Sequence, residues 1–175
     1  MGLFDAFKRP RHEVPARPKV CARESSGTLC APVSGRVIAM GEVPDPVFSS
    51  ETLGAGCAVW PEEGTVFAPI SGTVSAVMGH AVGLTGDDGV EVLVHVGIDT
   101  VEMGGSAFTA LAKTGDRVRA GEGLLSFDRG AIASAGHPDC VVLAVSETAG
   151  HGVVRMVIGS GDVVRAGEPV LRLEA

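Results

Sequence analysis

The chain has 175 residues, with 25 glycines, no tyrosine, 4% aromatic residues and a formal net charge of −7. No apolar run approaches the length of about 18 residues needed to span a bilayer, and an acidic body repels phosphate backbones, so nucleic acid is an unsuitable partner. The expectation is one domain with enough residues for a substantial core, free of a signal peptide.

Charge is unevenly placed along the chain. Residues 1–19 carry Lys8, Arg9, Arg11, Arg17 and Lys19 against Asp5 and Glu13, while the remainder is strongly acidic. Met1 to Lys8 would place Leu3, Phe4 and Phe7 on one side of a short helical turn. Pro10 then stops any helix, and Pro15 and Pro18 favour extended backbone. Residues 1–22 are therefore expected to be a basic, Pro-containing flexible tail. Weak peripheral contact with an anionic membrane is its other reading. Ala6 stands where a myristoylation signal needs Ser or Thr.

From residue 23 to 175 the chain repeats itself. Ala31-Pro32-Val33-Ser34-Gly35-Arg36-Val37 recurs as Ala68-Pro69-Ile70-Ser71-Gly72-Thr73-Val74, and Gly115-Asp116-Arg117-Val118-Arg119-Ala120-Gly121-Glu122 recurs as Gly161-Asp162-Val163-Val164-Arg165-Ala166-Gly167-Glu168. Each copy is a turn feeding a short strand: proline sets one φ, aspartate caps the turn, and glycine takes the left-handed position. The pattern predicts an all-β sandwich of antiparallel sheets with duplicated strand-turn motifs. Two short helices are expected, at Ser106–Lys113 and Arg129–Ala135, each ending near a glycine.

The strand Glu91-Val92-Leu93-Val94-His95-Val96 alternates. Val92, Val94 and Val96 share one face, and Leu93 and His95 share the other. A valine burial face leaves His95 aimed out of an apolar rim on rigid backbone, and the strand breaks at Gly97. His80 lies fifteen residues upstream, so the two imidazoles meet if their segments pair. The four cysteines (Cys21, Cys30, Cys57, Cys140) lack CxxC spacing and read as reduced thiols serving as small apolar residues.

The segment His95-Val96-Gly97-Ile98-Asp99-Thr100-Val101 resembles the phosphorylation-site segment of the glucose-class IIA components of the bacterial sugar phosphotransferase system. Met1-Gly2-Leu3-Phe4-Asp5, the Ala31-Pro32-Val33-Ser34-Gly35 turn and Val43-Pro44-Asp45-Pro46-Val47-Phe48 resemble that family too. The likeness runs from about Cys30 to the C-terminus. It implies a cytoplasmic phosphocarrier in which His95 takes a phosphoryl group from the carrier HPr and passes it to a cysteine of a IIB domain, in a glucose or N-acetylglucosamine permease. The unphosphorylated form would bind regulatory target proteins through the same face.

Chemistry supports those roles. A neutral imidazole is a nucleophile near pH 7 without a metal or strong base, and phosphoryl transfer needs chiefly alignment and stabilised oxyanions. His80 would donate a hydrogen bond to the phosphoryl oxygens. The approach Val77-Met78-Gly79-His80 is shorter than in enteric members, with Met78 where threonine is common, which bears on transfer rate. Asp45 and Asp99 are read either as partner-facing carboxylates or as turn caps. Val47, Phe48, Leu53, Leu93 and Val101 would form an exposed apolar partner surface around His95. Pro44 and Pro46 exclude the Phe48 segment from a central strand.

No cofactor is required by this reading. Zinc could join His80 and His95 at an interface if a partner supplied a carboxylate. The rival functions are a degenerate IIA-like binding module without phosphotransfer and a zinc metallopeptidase on a related β scaffold. Position 97 is glycine, so the His-x-His pair of such enzymes is missing. A biotinyl or lipoyl carrier needs a lysine at a hairpin tip, and of Lys8, Lys19 and Lys113 none sits in a Met-Lys turn.

Overall fold

The computed structural model describes residues 16–146 and 151–175. Its strands are β1 (Thr28–Cys30), β2 (Gly35–Ala39), β3 (Ala55–Pro61), β4 (Thr65–Phe67), β5 (Gly72–Met78), β6 (Ala81–Gly86) and β7 (Glu91–Val96). They continue as β8 (Phe108–Ala110), β9 (Arg117–Val118), β10 (Gly123–Phe127), β11 (Val141–Val145), β12 (Val153–Met156), β13 (Val163–Val164) and β14 (Pro169–Glu174). Two short helices, α1 (Pro46–Ser49) and α2 (Arg129–Ser134), interrupt them. All strand pairs are antiparallel. They build an eight-stranded sheet in the order β13-β2-β3-β11-β7-β6-β5-β9 and two three-stranded sheets, β1-β14-β12 and β4-β10-β8.

The sequence repeats become the two edges of the large sheet. At one edge Arg36 of β2 pairs with Val163 of β13, and at the other Thr73 of β5 pairs with Arg117 of β9. The Ser34 hydroxyl accepts the Ala166 amide at 3.0 Å, and the Ser71 hydroxyl accepts the Ala120 amide at the same distance. Val37 and Val74 donate to the carbonyls of Asp162 and Asp116. Each Asp side chain in turn accepts an amide at its own turn, from Gly159 and from Lys113. Equivalent residues thus satisfy equivalent backbone groups, as turns of one chemistry must.

The large sheet is buried on both faces at its centre. Val59, Val92, Val94, Val141 and Leu143 point into the main core. Ala58, Val142 and Ala144 point the other way, with Ile38, Met40, Val43, Phe48, Ile98 and Cys140, into a smaller cluster that Leu93 and Trp60 flank. Each fully buried Leu or Val contributes roughly 1.5–3 kcal/mol. Such two-sided packing holds β7 and β11 rigid, and β7 carries His95.

One expected helix is a strand. Residues 108–110 form β8, registered with Leu125, Ser126 and Phe127 of β10. The Ala- and Lys-containing stretch has helical propensity, but sheet pairing outweighs so weak a preference. The second expected helix stands as α2: Asp128 accepts the Ala131 amide as its N-cap, and Gly136 follows at φ +82°. Residues 17–23 are fastened to the body ahead of the boundary expected at residue 22. Arg17 pairs with Asp116, Lys19 pairs with Glu122, and the amides of Val20 and Arg23 reach Gly121 and Gly167 carbonyls. The helical turn expected at Met1–Lys8, and its membrane contact, lie outside the described residues.

Candidate functional site

β6 and β7 pair with Ala81 opposite His95, so His80, one residue earlier in the two-residue β5–β6 turn, comes beside His95. The Val96 amide donates to the His80 carbonyl at 2.8 Å and fixes this register. The two rings meet edge to face, with centroids 4.7 Å apart and planes at 72°. Phe48 contacts His95 from α1 with centroids 5.0 Å apart, and Phe108 lies 6.3 Å from His80. On its other side β7 pairs with β11, which sets Val142 opposite His95.

Both imidazoles are poised to be neutral at physiological pH. Burial, reinforced by neighbouring His80, pulls His95 down to about 4 from an ordinary 6.5, against weaker opposing pulls from the Gly97 carbonyl and Asp45. Burial lowers His80 as well. The His95 Nδ1 atom is buried, and among the described residues no group meets it in hydrogen-bonding geometry.

The chain leaves β7 through a tightly held corner. Gly97 has φ +76°, and a Cβ there would lie 2.3 Å from Thr100 Cγ2 and 3.0 Å from the Pro138 carbonyl oxygen. Its amide donates to Cys140, and the Ile98 amide donates to Pro138. Asp99 follows in the left-handed region at φ 56° and is exposed; its side chain makes no capping bond to the 3-10 turn at Thr100–Met103. Asp45 does act as a cap, its Oδ1 accepting the amides of Val47 and Phe48 and so setting α1 against the site.

The apolar surface differs in part from the expected one. Val47, Leu53 and Val101 are exposed at 45%, 42% and 64%. Phe48 is only 6% exposed and belongs to the smaller cluster beneath the site. Proline at 46 starts a helix that turns Phe48 inward, so this ring supports His95 and does not face a partner. Leu93 is half-buried against the same cluster. Met78 is exposed at the end of β5.

Two residues near the histidines escaped sequence reasoning. Phe108 was expected in a helix; the signal that could have found it is the pairing of a Phe-Thr-Ala triplet with Leu-Ser-Phe across the sheet. Thr100 stood in the segment that carries the resemblance but was given no role of its own, because its burial depends on the corner that Gly97 makes. The buried thiols fit inert roles: burial pushes Cys57 and Cys140 up to about 12, and burial with the nearby Glu24 carboxylate pushes Cys30 up to about 11. Among the described residues no group of three or more His, Cys, Asp or Glu side chains is arranged to hold a metal.

The site is thus a pair of touching imidazoles, each pushed toward the neutral form by burial, beside the end of β7 in an antiparallel β sandwich. The sequence model of the phosphoenolpyruvate-dependent sugar phosphotransferase system EIIA 1 family matches residues 27–151, and the chain belongs to that family. It is 39% identical over 140 residues to the PTS system glucose-specific EIIA component of Oceanobacillus iheyensis, covering 79% of this chain and 77% of that one. It is 43% identical over 143 residues to the PTS system mannose-specific EIIBCA component of Corynebacterium glutamicum, covering 81% of this chain and 21% of that protein. The beta-glucoside-specific EIIBCA component of Bacillus subtilis is matched over 20% of its length. The chain thus spans about a fifth of these multidomain relatives. Its fold superposes on the glucose permease IIA of Mycoplasma capricolum with a TM-score of 0.75 and 29% identity, covering 84% of this chain and 95% of that one.

Proposed function

We propose that the chain is a phosphocarrier in which His95 accepts a phosphoryl group from phospho-HPr and gives it to the active cysteine of a IIB domain. The observation that carries this reading is the pair of touching imidazoles, one on a rigid strand, both neutral by burial. With Nδ1 buried, Nε2 is the nitrogen that attacks. The Nε2–P bond forms as the donor's N–P bond breaks, and the donor nitrogen recovers the electron pair. In onward transfer the IIB thiolate sulfur attacks phosphorus, the S–P bond forms, and Nε2 leaves with its electrons. His80 donates to the phosphoryl oxygens at the in-line geometry, which is where a preorganised donor acts most strongly.

Val47, Leu53 and Val101 form the rim on which HPr and IIB dock, with Asp45 and Asp99 as the flanking carboxylates. A glucose-class sugar permease is the recipient that the likeness to EIIA and EIIBCA components supports. The protein works in the cytoplasm; among the described residues no helix is long and apolar enough to cross a membrane. Zinc would bind here only across an interface, with two nitrogens from His80 and His95 and a carboxylate from the partner.

The test is intact mass after incubation with phosphoenolpyruvate, enzyme I and HPr, beside the His95→Ala protein. One acid-labile phosphoryl group on the wild type and none on the variant is the expected result. No label on either, with HPr itself phosphorylated, would leave a binding module that keeps the fold without the chemistry.

A further inference from the structure

The segments around the two histidines carry charge of one sign. Between Arg36 and Lys113 the chain has no lysine or arginine, and that stretch supplies α1, β6, β7 and the 3-10 turn at Thr100–Met103. Among the described residues only two non-glycine residues have positive φ, Glu51 at 57° and Asp99 at 56°. Both are exposed carboxylates. One follows the helix that sets Phe48 against His95, and the other follows the strand that carries His95.

Glu51 is the less expected of the pair. The Thr52 amide donates to the Val47 carbonyl and the Glu51 amide to the Phe48 carbonyl, so α1 ends in a Schellman motif with Glu51 at its left-handed position. Glycine suits that position, because a Cβ there costs free energy. A carboxylate at a helix C-terminus also meets the negative end of the helix dipole. Among the described residues the Glu51 carboxylate makes no hydrogen bond or ion pair that would offset these costs. The fold therefore gives no reason for glutamate at 51, while the turn holds its charge beside exposed Val47 and Leu53. We propose that Glu51 is a specificity-determining residue: its carboxylate, fixed at the edge of the apolar rim, pairs with a basic side chain on the phosphoryl donor. A donor that brings a phosphate dianion to segments without lysine or arginine must carry its own positive charge to approach. This rests on the reading of His95 as acceptor from phospho-HPr.

The experiment follows transfer from phospho-HPr to the full chain by rapid quench, in wild type, Glu51→Gly and Glu51→Gln, at low salt and at about 0.5 M salt, where screening is strong. Melting temperatures and calorimetric binding of unphosphorylated HPr are taken on the same proteins. Glu51→Gly relieves the backbone and should melt about 2–4 °C above wild type. Glu51→Gln keeps the backbone and the size and loses only the charge. Both variants should raise the half-saturating phospho-HPr concentration, and weaken HPr binding, by about two- to fivefold at low salt, as one exposed ion pair allows. The difference from wild type should close at high salt. A protein that is more stable yet docks its donor less well is a result that a purely structural role does not give. Wild-type half-saturation and HPr affinity in Glu51→Gln overturn the proposal, and so does a loss that persists at high salt. A loss confined to onward transfer to a IIB domain overturns the assignment to the donor. Failure of the acceptor reading shows separately, as labelling of His95→Ala or no label on wild type, and the HPr affinities decide the role of Glu51 in either case.

Discussion

The backbone carbonyl of His80 accepts the amide of Val96 at 2.8 Å, one residue beyond the histidine that its own side chain touches. The site therefore depends on a main-chain bond: the sheet register places the rings, and no long side chain has to be held in position. A neutral ring on a fixed strand loses little entropy when a partner delivers a phosphoryl group, which is the advantage of orientation built in beforehand.

His80→Gln should still accept phosphate at His95, because the nucleophile is untouched. Onward transfer to a IIB domain should slow by roughly tenfold to a hundredfold, the value of one hydrogen bond to a charged group. Rapid-quench kinetics of each half-reaction separate the two effects. Equal slowing of both would show that His80 only shapes the site.

Stability should fall with acid in a way His95 explains. Its folded-state value of about 4 lies below the ordinary 6.5, so the unfolded chain binds this proton first. The contribution is complete above 6.5, is lost as pH falls toward 4, and amounts to about 3 kcal/mol. Urea titrations at pH 7, 5.5 and 4 should show a steeper loss for wild type than for His95→Gln. Parallel curves would mean the ring is less desolvated than its surroundings indicate.

Phe48→Ala opens a cavity under His95 and should cost about 3–5 kcal/mol. It should also wet the ring, so His95 titrates closer to its ordinary value. Denaturant midpoints give the first quantity and an NMR titration of the imidazole the second. An unchanged titration would separate Phe48 from the chemistry.

Glycines at positive φ are unequal here. Gly97→Ala meets Thr100 Cγ2 at 2.3 Å as well as an unfavourable φ, whereas Gly89, at φ +86°, has nothing within 4 Å of a built Cβ. Gly89→Ala should cost about 1 kcal/mol, from backbone conformation alone. Gly97→Ala should cost at least twice that and should lower the phosphorylation rate. Equal melting temperatures for the two variants would sink the account of the corner.

Much of this molecule was legible in its residues. The duplicated Ala-Pro-x-Ser-Gly and Gly-Asp-x-Val-x-x-Gly turns fixed strand starts, because proline and glycine restrict backbone locally and act alike in each copy. The valine alternation in β7 assigned His95 to the face opposite the main core, since side-chain period in a strand is set by geometry alone. What the chain could not show by itself was which strands become neighbours. Only the pairing of β6 with β7 brings His80 to His95. Only the β8–β10 register makes a strand of a stretch with helical propensity, and only the packing of α1 turns Phe48 beneath the site. These are contacts between distant segments, chosen by burial and hydrogen-bond satisfaction across the whole fold, and no local stretch of residues encodes them.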